Sequence, residues 1–272
     1  MPGWLVLDGY EDEPAAFGVP NYVGFHIRYI CGVFENRGIP YEYLTIDQLR
    51  INKRKGKSPI PSELEGVVIL AGAVVPGKYV RGTPISSREL DHLLADIPKG
   101  IPVLCGGWAI RQWRYSGWTP LRGSLFCTVQ DVDATLNHYL ETGVWENRKR
   151  DAKQWGRWAL LGAKSKAVTN HPDLFSADGS AGPLTYEVEL YQGCVRFKRG
   201  CKFCIEPKKG VPLWRERLDV INEITSALDS GVRNVRIGGA TDIYTYKAEG
   251  VEELEYPLPN PEPISQILYQ LR

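Results

Sequence analysis

Five short apolar runs recur along the first half of this chain, with helical segments between most of them, and this alternation limits the available folds more than any other feature. The runs are "WLVLDGY" (4–10), "YEYLTI" (41–46), "GVVILAG" (66–72), "IPVLC" (101–105) and "SLFCTV" (124–129). Near-continuous apolar runs of this length read as strands covered on both faces. The segments "NYVGFHIRYICGVFENRG" (21–38), "SSRELDHLLADI" (86–97) and "DVDATLNHYLETG" (131–143) carry apolar residues at helical spacing. Gly38 closes the first of them, and Ser86 or Ser87 caps the second. Strands alternating with helices predict an α/β fold, with a Rossmann-like, doubly wound parallel domain over residues 1–145.

Residues 146–183 lose this periodicity and mix charge, tryptophan, Gly and Pro, which predicts a linker partly packed on both sides. "LTYEVELY" (184–191) then alternates like a strand, "PLWRERLDVINEITSALDSG" (212–231) reads as an amphipathic helix closed by Gly231, and "VRNVRIGG" (232–239) as the next strand. The loop between that strand and helix sits at the C-terminal end of a parallel strand, where barrel and open-sheet enzymes place their chemistry. It contains Cys194, Cys201 and Cys204, spaced C-x6-C-x2-C, with basic residues between them.

A formal net charge of +1 excludes a polyanion-binding protein by global charge, so any nucleic-acid patch must be local. No apolar run reaches the roughly 18 residues of a membrane span. "MPGWLVLDGYEDEP" has no basic n-region, so it is not a signal peptide. The expectation is a cytoplasmic protein without a membrane partner. There cysteines stay reduced, and a tight group of them points to metal or catalysis before a disulfide. Structural zinc takes four ligands, but His171 lies across the linker and no histidine follows the group. A 4Fe-4S cluster held by three thiolates leaves one iron open to an external ligand.

At these residues the chain resembles the radical S-adenosylmethionine superfamily. Its cluster loop follows the first strand of a partial (β/α) TIM-type barrel and commonly reads C-x3-C-x2-C, with an aromatic residue before the last cysteine. Cys201, Lys202, Phe203 and Cys204 match its second half, while the first gap is six residues instead of three. The resemblance implies a 4Fe-4S cluster on Cys194, Cys201 and Cys204, with S-adenosylmethionine on the open iron and its adenine against the Phe203 backbone. The family often has Gly-Gly-Glu after its second strand; this chain has Gly238, Gly239 and Ala240, with Asp242 the acidic residue placed to substitute. "YEVELYQGC", "GCKFCIEP" and "RIGGATDIYTY" resemble an archaeal branch whose full-length members add a helix-hairpin-helix near the C-terminus.

A doubly wound domain ahead of such a barrel resembles the cobalamin-binding domain of many of these enzymes. No Asp-x-His-x-x-Gly follows the first strand, so the resemblance implies cobalamin held base-off without a histidine ligand. The corrin would lie near Gly106, Gly107 and the loop from Ala71; the alternative is that these glycines only close a turn. The layout is also similar to methylthiotransferases, which carry a second cluster on three cysteines in the first domain. Here Cys31, Cys105 and Cys127 read instead as buried free thiols. Residues 184–272 amount to two or three strand–helix units, against about 250 residues for an eight-unit barrel. The expectation is therefore an N-terminal fragment or truncated form.

Arg196, Lys198, Arg199, Lys202, Lys208 and Lys209 either tune the cluster, hold phosphate with Trp214 at hand for stacking, or are solvated loop charges. "EDE" (11–13) and "EGVEELE" (249–255) read as surface, and His26, His92, His138 and His171 form no catalytic pattern. The resulting expectation is a radical S-adenosylmethionine enzyme modifying an unreactive carbon by methyl transfer or methylthiolation of RNA or a small molecule. Its electron donor would be a ferredoxin or flavodoxin. The alternative from another class is a non-catalytic binding module stabilised by zinc or an iron–sulfur cluster.

Overall fold

The computed structural model describes residues 3–10, 22–58, 60–61, 63–72, 83–120, 124–172, 185–202, 204, 206–240 and 242–272. Its elements run β1 (Gly3–Gly9), β2 (Tyr22–Val23), α1 (Phe25–Arg37), β3 (Tyr41–Thr45), α2 (Ile46–Arg54), β4 (Leu64–Ala71) and α3 (Ser87–Asp96). They continue through β5 (Val103–Gly106), α4 (Trp108–Tyr115), β6 (Leu125–Cys127), α5 (Val132–Thr142), α6 (Ala152–Gly162) and α7 (Lys166–Thr169). The last are β7 (Thr185–Glu189), β8 (Tyr191–Gln192), α8 (Glu206–Lys209), β9 (Leu213–Trp214), α9 (Arg217–Asp229), β10 (Val235–Gly238) and α10 (Pro261–Gln270).

Five strands form a wholly parallel sheet in the order β3-β1-β4-β5-β6. This is a doubly wound arrangement whose strand order reverses beside β1, compatible with the Rossmann-like expectation. Alternate side chains of β1 divide between two cores. Leu5 and Leu7 join α3 and α4 through Leu90, Leu93 and Ile110, whereas Trp4 and Val6 face Ile27, Ile30 and Phe34 of α1. Burial of each such aliphatic side chain stabilises by about 1.5–3 kcal/mol. The loops leaving the reversal point, including 11–21 and 73–82, fall outside the described residues.

A second parallel sheet, β10-β7-β2, carries the C-terminal part, and β2 enters it from the N-terminal half by pairing with β7. No closed barrel is present among the described residues. Tyr186 and Val188 of β7 share one continuous apolar core with α1 and with Val6 and Val68 of the first sheet, so α1 is packed on both sheets.

The stretch expected to be a linker contains two helices, α6 and α7. Asp151 and Gln154 form a capping box at the start of α6, and Trp155, Trp158 and Ala159 bury one face. Gly32 of α1 and Gly162 of α6 let the two backbones touch. A Cβ on the first would overlap the Trp158 carbonyl, and on the second the Arg28 carbonyl. Ser86, not Ser87, caps α3, again in a capping box with Glu89. Residues 108–115, directly after the Gly106–Gly107 pair, form α4: Ala109, Ile110 and Trp113 supply a buried stripe. The helix expected from 212 begins at Arg217, because Leu213 and Trp214 pair with β8.

Candidate functional site

The cysteine loop is built as an excursion pinched at its base. β8 and β9 pair antiparallel, Tyr191 with Trp214 and Gln192 with Leu213, and Cys194, Cys201 and Cys204 all lie between them in sequence. The backbone N–H of Cys194 donates to the Gly210 carbonyl at 3.3 Å, and that of Arg215 to Leu190 at 3.1 Å. Cys194 is buried and its Sγ accepts from the Arg196 N–H at 3.3 Å. Cys201 is exposed and Cys204 half-buried; the Cys204 N–H donates to the Cys201 carbonyl at 3.1 Å, so these two share one turn. Phe203 lies outside the described residues. The thiols are not gathered: among the described residues no three His, Cys, Asp or Glu side chains converge as a metal-binding group. The donor chemistry nevertheless suits an iron–sulfur cluster, with three soft thiols on one excursion and a backbone N–H already directed at one sulfur.

The loop's cations are partly tethered. Arg196 donates to the Tyr256 hydroxyl at 2.9 Å and lies over its ring, Lys198 donates to the Glu252 carbonyl, and Arg199 pairs with Glu255 at 3.1 Å. The acidic segment that read as plain surface is thus the partner of the basic loop.

β7 and β10 end side by side, with Glu189 in register with Gly238. The base of the cysteine loop and the Gly238–Asp242 turn therefore leave adjacent parallel strands at the same end. Gly239 adopts φ +65°, and a Cβ there would stand 2.6 Å from the Phe25 ring and 3.0 Å from Glu189. Ala240 packs on the core. Asp242 holds the turn: its carboxylate accepts from the Tyr244 N–H at 2.7 Å, its carbonyl from the Tyr191 hydroxyl at 2.9 Å.

Gly106 and Gly107 end β5. A Cβ on Gly106 would overlap Val132 of α5, so this glycine is filled by internal packing. Gly107, at φ +102°, precedes α4 and lines a cleft of about 340 Å³. One wall of that cleft is the C-terminal edge of the five-stranded sheet, with Trp108, Gln130 and Asp131; the other is the base of the cysteine loop, with Gln192, Lys208 and Leu213.

Beneath the cleft lies a buried ion cluster whose members are scattered along the sequence. Arg150 donates from Nη2 to Asp131 Oδ1 at 3.2 Å and to His26 Nδ1 at 3.4 Å; its Nε is 3.3 Å from Asp133 and its Nη1 4.0 Å from Glu189. Burial alone would raise the Asp131 pKa, but Arg150 and a hydrogen bond from Gln192 hold it below the usual carboxylate range. Asp133 is pushed up to about 6 and Glu189 to about 8, in both cases chiefly by burial. Burial, helped by the Arg150 charge, keeps the His26 pKa well below its ordinary value. Shifted carboxyls beside a cleft mark a functional candidate. The available signal was Glu187 and Glu189 alternating in "YEVELY", which a half-exposed strand would put in water; both are buried.

The other three thiols behave as packing groups. Cys31, Cys105 and Cys127 are buried, and burial pushes Cys31 up to about 12, Cys105 well above and Cys127 above the ordinary value. Among the described residues no helix is long and apolar enough to cross a membrane.

No family model matches the chain. It is 32% identical over 285 residues to an uncharacterized protein of Methanocaldococcus jannaschii, covering 98% of this chain and 49% of that protein. An uncharacterized protein of Archaeoglobus fulgidus is 33% identical over 262 residues, 94% of this chain and 43% of that one. The chain thus spans about half the length of the curated relatives it matches. A third similarity, 35% over 80 residues, covers 29% of this chain and 17% of the tRNA-2-methylthio-N(6)-dimethylallyladenosine synthase of Geobacter sulfurreducens.

Proposed function

We propose that this chain carries the cluster-binding part of a radical S-adenosylmethionine enzyme, with Cys194, Cys201 and Cys204 as thiolate ligands of a 4Fe-4S cluster. The observation that carries the reading is the pinched three-cysteine excursion at the C-terminal end of β7, beside the Gly-Gly turn that ends β10. The partial similarity to the methylthiolating synthase supports it. The reading requires the Cys201–Cys204 turn to close on Cys194.

When bound, such a cluster supplies the electron that cleaves S-adenosylmethionine and so gives access to unreactive carbons. The chain's own contribution is local. The Arg196 N–H stabilises charge on the Cys194 sulfur, and the β8–β9 clamp fixes the base of the loop. By the resemblance, Gly238, Gly239, Ala240 and Asp242 would meet the amino acid end of the cosubstrate, while Phe203, assigned to the adenine, lies outside the described residues. The product is a methylated or methylthiolated RNA or small molecule, and a ferredoxin or flavodoxin supplies the electron. Cobalamin stays outside the proposal: beyond Gly72 the loop from Ala71 that would help hold a corrin lies outside the described residues, and no step is assigned to it.

Iron, sulfide and zinc analysis after anaerobic purification tests the proposal. Four irons and four sulfides per chain, with a broad band near 400 nm, are expected for a [4Fe–4S] cluster. Stoichiometric zinc instead would overturn the cluster and leave the alternative of a zinc-stabilised binding module.

A further inference from the structure

The cleft between the first sheet and the cysteine loop has a chemistry that the cluster does not use. Arg111, Lys149, Lys208 and Lys209 line it, along with Arg150 at its floor, and among the described residues Asp131 is the one carboxylate in its lining. That carboxylate is already engaged by Arg150 and Gln192, on Oδ1 at 3.2 and 3.1 Å, and by the Arg150 N–H on Oδ2 at 2.9 Å. Lys209 pairs with Glu206 at 2.7 Å. Arg111, Lys149 and Lys208 make no ion pair among the described residues, so three cations face the space uncompensated. An otherwise nearly neutral chain, at net charge +1, concentrates positive charge here.

Beside these charges and the polar Gln130, Gln192 and His26, the cleft has an aromatic and aliphatic part. Trp108 presents its indole with Lys209 at 5.2 Å and Arg111 at 5.6 Å from the ring centre, and Val129, Val132, Val211 and Leu213 add aliphatic surface. The first turn of α4 opens at Gly107 without a side-chain cap, which adds backbone N–H groups to the positive end. A volume of about 340 Å³ is at the small end of ligand pockets and suits one mononucleotide, not a polymer.

We propose that this cleft binds a nucleoside phosphate, with the base against Trp108 and the phosphates among Lys149, Lys208 and Arg111. Lys208 follows Cys204 by four residues and Gln192 precedes Cys194 by two, so such a ligand adjoins the cysteine excursion from outside. The inference goes beyond the cluster reading and does not depend on it.

Calorimetric titration of the whole chain with ADP, adenosine and a short single-stranded RNA tests the assignment. ADP is expected to bind one-to-one, adenosine at least about tenfold more weakly, and high salt to weaken ADP alone. The double variant Lys149→Glu, Lys208→Glu should lose at least about tenfold in ADP affinity while its circular dichroism and iron content stay those of the parent. Equal binding of ADP and adenosine, or an unchanged double variant, overturns the site. RNA binding where ADP shows none overturns the small-molecule occupant. Iron content is read separately, so a chain that binds ADP without iron refutes the cluster and leaves this proposal standing.

Discussion

Glu189 Oε2 stands 4.0 Å from Arg150 Nη1, and neither oxygen of that buried carboxyl receives a hydrogen bond. Arg150 spends its Nη2 hydrogen bonds on Asp131 and His26 and is shared with Asp133, so Glu189 has attraction without the donors that would stabilise its charge. Desolvation wins, and the carboxyl is pushed up to about 8.

A pH dependence follows. Between the ordinary glutamate pKa of about 4.3 and the raised value of about 8, the folded chain holds a proton on Glu189 that the unfolded chain releases. Stability from this group is full below about pH 4.3 and is lost as pH rises toward 8; Asp133, at about 6, adds the same sign over a lower window. Thermal melts at fixed ionic strength should show Tm falling from pH 5.5 to 8.5, and Glu189→Gln should flatten the fall. An unaltered slope in the variant would remove Glu189 from the account.

A second buried cluster ties α1 and α9 to the β10-β7-β2 sheet. Glu223 of α9 accepts from Arg28 of α1 at 3.1 Å and from Arg215 at 2.5 Å, and the Tyr186 hydroxyl adds a third bond at 2.9 Å. Arg28 also reaches the Val23 and Glu187 carbonyls. Removing the carboxylate strands two buried guanidinium groups, so Glu223→Ala should lose about 3–5 kcal/mol in denaturant unfolding. A loss under about 1 kcal/mol, the range of a surface pair, would contradict the buried geometry.

The cysteines can be separated one at a time. Cys194→Ala, Cys201→Ala and Cys204→Ala should each abolish iron uptake in anaerobic reconstitution. Cys31→Ala, Cys105→Ala and Cys127→Ala should keep it and lose only packing energy, since their sulfurs are buried protonated thiols. Iron loss in Cys105→Ala would point to a second cluster at the end of β5.

What could be read in advance followed range in sequence. Strands β1, β4 and β5 follow largely apolar runs, β3 alternates with Glu42 exposed, and Gly38 ends α1 in the left-handed conformation its sequence position suggests. The cysteine excursion was visible because its three thiols are neighbours. α6 was missed because tryptophan and charge masked its i, i+3, i+4 stripe, although the Asp151–Gln154 capping box was in plain sight. β2, two residues long, has no periodicity to detect. The ion clusters had no local trace: Arg28 and Glu223 are 195 positions apart and Arg150 and His26 124. Only the fold brings them together.

Gly106 offers a test of whether its glycine serves packing or a ligand. On the packing account it has no side chain because Val132 of α5 occupies that space, with Thr128 Cγ2 3.0 Å from where a Cβ would stand. Gly106→Ala should then cost about 1–3 kcal/mol through overpacking. Val132→Ala should also destabilise, by opening a small void at the same spot. Because the added methyl would fill the removed ones, the double variant should be more stable than the sum of the single losses by about 1 kcal/mol or more. The cycle is measured by urea unfolding with iron content monitored alongside. If the two losses simply add, Val132 does not explain Gly106, and a close approach of some ligand to the end of β5 becomes the better reason for a glycine there.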